Sequence, residues 1–242
     1  MPKAPPKALN ILAIDCATEI LSAALACNVE LGGAAPLRAS SICIDAARSE
    51  LLFTIVDSLL TTACVKIEDI DLFVCQRGPG SWTGLRIGFS AVKGFALALH
   101  KPYISIPTLD CAAHSAALSG FDGVVLPVLD AKQQRFFCAL YENGERTTDY
   151  LDASPEAIAA LIPEGRDIWL TGDAAEMILP RLRDLPEKAG GGKKILDPHF
   201  RRGRAEDLLK YLYKNPTMIE KEESSSSAPL YLRKSDAEIN CV

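Results

Sequence analysis

Leu9–Asp15 is a short apolar run that ends on an acid, and it reads as a strand. Ala17-Thr18-Glu19 reads as a tight turn, with Leu21–Ala26 and Ala39–Ile44 as two further strands. Strands joined this closely predict antiparallel neighbours. From Ser49 to Ala63 the apolar positions Leu51, Leu52, Ile55, Val56, Leu59, Leu60 and Ala63 follow the helical period, and Phe53 widens the stripe. Ile67–Asp71 reads as a turn with a short helical start, and Leu72–Gln76 as a buried strand. The glycine-rich segment Arg77–Gly84 follows, then a helix to Leu99, a strand over Tyr103–Ile106 between Pro102 and Pro107, and a helix over Leu109–Leu118. Three antiparallel strands followed by alternating helices and strands predict an α/β protein with a sheet of mixed direction.

The second half repeats the theme. Val124–Leu129 and Phe136–Tyr141 read as strands, Glu142-Asn143-Gly144-Glu145 as a hairpin turn and Arg146–Leu151 as the returning strand. Ser154 caps a helix to Leu161, Ile168–Thr171 is a strand, and Asp173–Leu182 and Ala205–Lys214 are helices. Gly190–Lys194 reads as a flexible loop and Glu220–Ser227 as a solvated linker, ending in the apolar clip Ala228–Arg233. Each half opens with a strand, a tight acidic turn and another strand, which predicts an internal duplication. The expected boundaries are 7–106 for a first subdomain with the glycine-rich loop, 107–219 for a second, and 220–242 for linker and clip.

Charge narrows the function classes. The 242 residues carry 26 Lys+Arg against 31 Asp+Glu, a net charge of −5. A chain that grips nucleic acid by itself needs a dominant basic face. At 48% hydrophobic and 24% charged, the composition excludes a disordered chain or a coiled coil. The eight cysteines contain no CxxC and sit mostly in apolar runs, as in Leu72-Phe73-Val74-Cys75, which reads as core filling in a reducing compartment. The start Met1–Lys7 is not followed by a signal-type apolar run, because Asp15 and Glu19 interrupt it, and no uncharged apolar stretch reaches membrane-spanning length. A cytoplasmic protein is expected.

The densest chemical signal is Arg77-Gly78-Pro79-Gly80-Ser81-Trp82-Thr83-Gly84-Leu85-Arg86-Ile87-Gly88. Gly78 and Gly80 permit a sharp turn, and Ser81 or Thr83 can cap the helix that follows. Exposed N–H groups at a helix start attract phosphate. The segment matches neither GxxxxGK[ST] nor GxGxxG, so a tight turn and a phosphate cradle both stand. Gly84, Gly88, Ala91, Gly94 and Ala98 recur at spacings of three and four and form one smooth helix face. Each interior glycine costs about 0.8–1 kcal/mol relative to alanine. Close approach of another backbone compensates, from the chain's own sheet or from another subunit.

Ile11–Glu19, Arg77–Gly88, Lys101–Leu109 and Pro229–Arg233 together resemble the TsaB (YeaZ-like) proteins of the glycoprotease-like superfamily, the non-catalytic members of the bacterial machinery that makes threonylcarbamoyladenosine in tRNA. The resemblance implies an actin/hexokinase/Hsp70-like fold of two duplicated αβ subdomains with mixed sheets. It implies a phosphate-facing loop built from Asp15, Thr18, Gly78, Gly80, Ser81 and Thr83, with ATP or ADP at or near a partner interface. Thr171-Gly172-Asp173-Ala174 and Asp130-Ala131 resemble the corresponding turns of the second subdomain. The implied partners are a TsaD-like catalytic subunit, a TsaE-like ATPase and a second copy of the chain, with tRNA touched only indirectly and no membrane. The candidate interface is Leu52, Phe53, Val56 and Leu60 with Gly84, Gly88 and Ala91. The two metal-binding histidines of the catalytic paralogue fall at Thr108 and Ala112, so neither a metal site nor a catalytic residue is expected here. The chain departs from the family pattern at Cys16, Arg48 and Lys132–Arg135, which bears on any bound nucleotide.

Rival readings are an active ATP-dependent phosphotransferase or hydrolase of the same fold, and a metalloprotease-like enzyme. Among smaller motifs, Glu68/Asp69/Asp71 reads as a solvated turn and Cys111 with His114 lacks an orienting acid. Arg201-Arg202-Gly203-Arg204 reads as a solvated charged turn rather than a contact to RNA phosphates.

Overall fold

The computed structural model describes residues 8–33, 39–44, 49–118, 120–184, 192–199, 204–221 and 227–233. Arg48, Arg201–Gly203, residues 190–191 and residues 222–226 of the serine-rich linker lie outside the described residues. The chain forms two units: Met1–Arg77, Ser81–Ile106 and Gly203–Pro229 in one, Gly78–Gly80, Pro107–Arg202 and Leu230–Val242 in the other.

The first unit is built on β1 (Leu9–Asp15), β2 (Leu21–Val29), β3 (Ser40–Ile44), β4 (Leu72–Gly78) and β5 (Tyr103–Pro107), in the order β3-β2-β1-β4-β5. β1 is antiparallel to β2, with Asp15 opposite Ser22, and parallel to β4, with Ile14 opposite Cys75. Alternate residues of β1 point to opposite faces, yet both sets are buried because helices cover both. Leu12 and Ile14 pack with Leu52, Ile55, Val56, Leu59 and Leu60 of α1 (Leu52–Ala63) and with Phe89 and Val92 of α2 (Trp82–Leu99). Each such side chain contributes about 1.5–3 kcal/mol on burial. The other face meets a late helix, Ala205–Lys214, through Ala205, Leu208, Leu209 and Leu212.

The second unit repeats that order. β6 (Val124–Asp130), β7 (Phe136–Cys138), β10 (Leu151–Ala153), β11 (Ile168–Thr171) and β12 (Lys194–Leu196) run β10-β7-β6-β11-β12, with the hairpin β8 (Tyr141–Glu142) and β9 (Glu145–Arg146) attached to β6. β6 is antiparallel to β7 and parallel to β11, as β1 is to β2 and β4. One face carries α4 (Pro155–Leu161) and α5 (Ala175–Asp184), through Ile158, Ile178 and Leu182. The other carries α3 (Thr108–Ala117), through Leu109, Ala113 and Ala116. The late helix is α6. The equal strand orders make this the duplicated αβ fold of actin/hexokinase type that the family resemblance implies.

Several elements differ from expectation. α6 belongs with the first unit, not with 107–219, because its apolar face closes on β1 and β2. The strand expected over Phe136–Tyr141 breaks in two, since the Leu140 N–H donates to Thr148 Oγ1 and its carbonyl accepts from Thr147. The same bonds pull residues 147–148 out of the returning strand, which survives only as β9 and β10. β12 lies partly in the segment read as a loop; three residues are too few to show a period. No helix among the described residues is long and apolar enough to cross a membrane.

Candidate functional site

β4 ends on Gly78 at φ +108, followed by a cis Gly78–Pro79 peptide bond and then α2. Ser81 caps α2, its Oγ accepting the Gly84 N–H at 3.2 Å, while its own N–H donates to Ala17 O at 2.7 Å. The turn after β1 and the start of α2 are thereby tied together. A Cβ on Gly84 would lie 1.9 Å from Cys16 O, and one on Gly88 3.4 Å from Cys16 Sγ. The close approach that the small-residue face requires thus comes from the chain's own β1–β2 turn at Gly84 and Gly88. Trp82 stacks under the Arg86 guanidinium at 4.2 Å. Ser81 and Thr83 are exposed, and Thr18 is half-buried with its hydroxyl accepting from Ile20 N–H.

Asp15 lies at the end of β1 and is fully buried. Its Oδ1 accepts the Ala17 N–H at 2.9 Å and its Oδ2 the Arg204 N–H at 2.8 Å. Beside it Ser22 Oγ accepts the Ala205 N–H at 3.1 Å. Two strands thus hold the first turn of α6, satisfying donors that a helix start leaves open. Burial raises the Asp15 carboxyl to about 6, against the two N–H donors and the Arg204 charge, which lower it. Burial, with the Asp15 charge behind it, pushes the Cys16 thiol well above its ordinary range. These residues do not fit a nucleotide phosphate or its metal at Asp15: both oxygens already accept from backbone donors and none of the residue reaches solvent. The phosphate-facing assignment of Asp15 is therefore corrected to a cap on α6. Arg204, read as part of a solvated charged turn, is buried and pairs with Asp207 at 3.1 Å.

The candidate interface is corrected as well. Leu52, Val56, Leu60 and Ala91 are buried in the first unit's core, and Gly88 is filled against Cys16. A leucine at Gly88 would therefore damage this unit itself. Phe53 alone among the named side chains on α1 is open, at 60% exposure, and Leu97 on α2 is 78% exposed. Phe53 meets the Phe95 ring edge-on at 5.9 Å, and Phe95 stacks on the buried Phe73 at 5.4 Å. The exposed ring is thus anchored through a second ring to the core.

The second unit holds the counterpart of the Asp15 turn. Asp130 ends β6, and its Oδ1 accepts the Lys132 N–H at 2.7 Å while Oδ2 takes the Lys132 ammonium at 2.8 Å. Lys132, Gln133 and Gln134 have φ of 62°, 51° and 59°. Left-handed backbone costs a non-glycine residue about 1–2 kcal/mol. Gly172, at φ +97, follows β11, and a Cβ there would lie 2.3 Å from Val128 O. Sequence reasoning also missed a cluster in which Asp110 accepts from the Tyr141 hydroxyl at 2.5 Å and the Tyr150 hydroxyl at 2.8 Å. Burial and then the Asp110 charge push Tyr141 far above its ordinary value. Thr108 and Ala112 are buried on α3. No three His, Cys, Asp or Glu side chains among the described residues are grouped to hold a metal.

Residues 19–177 match the family described as TsaD, tRNA N6-adenosine threonylcarbamoyltransferase. The chain is 29% identical to the tRNA threonylcarbamoyladenosine biosynthesis protein TsaB of Escherichia coli K12 over 208 residues, 83% of this chain and 84% of that protein. It is 34% identical to the TsaB of Bacillus subtilis over 91 residues, 37% of this chain and 39% of that one. The solved structure of YeaZ from Pseudomonas aeruginosa superposes with a TM-score of 0.73 at 26% identity, covering 93% of this chain and 100% of that chain.

Proposed function

Because the chain belongs to the TsaD family of tRNA N6-adenosine threonylcarbamoyltransferases, and within it is TsaB/YeaZ-like, we propose that it is the non-catalytic partner that binds and activates a TsaD-like catalytic subunit. Its place in the biosynthesis of threonylcarbamoyladenosine in tRNA rests on those relatives. The partner role rests on one observation: two large apolar side chains, Phe53 and Leu97, stand in water on α1 and α2. Gly94 and Ala98 are also exposed, and with Leu97 they follow the i, i+3, i+4 spacing of one helix face. A large apolar anchor set among small residues is the form of a binding hot spot, and the ring stack beneath Phe53 keeps it ordered before binding.

In this reading the catalytic chemistry belongs to the partner. A TsaE-like ATPase joins the pair, and a nucleotide serves at or near the partner interface. In the absence of the partner the same face closes a homodimer. Tethering of tRNA falls to another subunit, consistent with the net charge of −5.

The test is titration of the chain against the TsaD-like subunit of the same organism, followed by calorimetry and by sedimentation. Phe53→Asp and Leu97→Asp should each weaken the heterodimer at least tenfold while the melting temperature of the single chain falls by no more than a few degrees, the loss of the Phe53–Phe95 ring contact in the first case. Unaltered affinity in both variants would overturn the interface. Nucleotide turnover by the chain alone, lost in a Ser81→Ala or Thr83→Ala variant, would overturn the non-catalytic role.

A further inference from the structure

The turn after β6 adopts a backbone that its own sequence does not favour. Lys132, Gln133 and Gln134 are all left-handed and none is glycine. Inside the turn, Ala131 N–H donates to Arg135 O and Arg135 N–H to Lys132 O, both at 3.0 Å, and Asp130 takes the Lys132 N–H. Two side chains reach in from outside. Arg181 on α5 donates to Gln134 Oε1 at 3.2 Å. Arg233 donates through Nη2 to Gln133 Oε1 at 2.5 Å and, at a longer 3.5 Å, through Nη1 to Ala131 O. Next to Arg233, Leu232 packs on the cluster that includes Leu129, Ala131 and Phe137, the residues that flank the turn. The segment therefore covers the base of the turn with one residue and grips two of its acceptors with the next.

We propose that Leu230–Arg233 is a latch that sets the conformation of the Ala131–Arg135 turn, with Arg233 as the positioning residue. The planar guanidinium fork reaches a side-chain and a backbone acceptor from two separate nitrogens in a fixed geometry, which a single ammonium nitrogen does not reproduce. Seated, the latch holds Lys132–Gln134 left-handed and presents their exposed side chains in one arrangement. Lifted, it removes the external grip on Gln133, and the three residues relax toward right-handed backbone. The device has two states because the turn is strained and its restraint comes from a separate stretch of chain.

Amide hydrogen exchange on the full chain tests this. In Arg233→Ala, exchange at Ala131, Lys132 and Arg135 should accelerate at least tenfold, with the β6–β11 ladder unchanged. Arg233→Lys should fall between that variant and the native chain. Adding Gln133→Gly to Arg233→Ala should restore most of the protection, since glycine takes positive φ without strain. Unchanged exchange at the turn in Arg233→Ala would overturn the latch. Acceleration spread evenly over the second unit would also overturn it, because the residue would then support only general stability. Failure of Gln133→Gly to restore protection would remove backbone strain from the mechanism.

Discussion

Asp15 and Asp130 end the first strand of two sheets with the same strand order, and the Oδ1 of each accepts the N–H two residues on. The second oxygen separates them. In Asp15 it accepts from the first turn of α6, inside the protein; in Asp130 it meets an ammonium on the surface. One strand-end carboxylate has been absorbed into the core as a helix cap, while the other stays in an exposed turn. The duplicated frame fixes where an acid falls, and the element packed over it decides what the acid does.

The largest effects test the shared frame. Gly84→Ala and Gly172→Ala would bring a Cβ to 1.9 Å from Cys16 O and 2.3 Å from Val128 O. Both contacts are with backbone, which cannot rotate away, and Gly172 also sits at φ +97. Each substitution should cost about 4 kcal/mol or more in urea unfolding, or prevent folding. If one is tolerated and the other is not, the close approach belongs to a single unit and the comparison fails there.

The next effect is the difference between the two acids. Asp15→Ala leaves the Ala17 and Arg204 N–H groups buried without an acceptor, at roughly 1–3 kcal/mol each. Asp130→Ala exposes its donor to water and should cost about 1 kcal/mol or less. Stability against pH separates them more sharply. The folded Asp15 carboxyl is raised to about 6, above an unfolded value near 3.8. The stability tied to its protonation is fully present below the unfolded value and is lost as pH rises through about 6, on the order of 3 kcal/mol. Unfolding curves between pH 4 and 7 should therefore show a downward slope that Asp15→Asn removes and Asp130→Asn keeps. A slope that persists in Asp15→Asn would assign it to another group.

The frame was legible in the sequence because its strands are short apolar runs with polar turns between them. The close approach to the glycine face was legible as well, although not which of the two candidates makes it. Other features left no local trace. α6 finds its partner strands roughly 180 residues earlier in the chain, as the bond from Ala205 to Ser22 records. Arg204 stands in a basic run that reads as solvated; the one cue to burial was Asp207, three residues on. The apolar period of α1 tells which side is greasy but not that β2 covers it, so from the sequence Leu52, Val56 and Leu60 serve a partner's surface as well as they serve the core. The left-handed Lys132–Gln134 turn lacks the glycine by which such turns are recognised.

The smallest effect is the most pointed, because it concerns the glycine that the fold does not need. Gly84 is held by Cys16 O and Gly88 packs on Cys16 Sγ, but a Cβ on Gly94 would meet nothing within 4 Å. Among the described residues nothing packs on Gly94, so there it only weakens α2, and Gly94→Ala should stabilise it by about 0.5–1 kcal/mol, a rise of a few degrees in melting temperature. A glycine that costs stability and meets no neighbour among the described residues is explained if a partner backbone comes close to that face. Gly94→Ala should then raise the melting temperature of the single chain while weakening its heterodimer with the TsaD-like subunit severalfold. If stability rises and affinity does not change, the exposed end of the small-residue face is no part of the contact. The interface then rests on Phe53 and Leu97 alone.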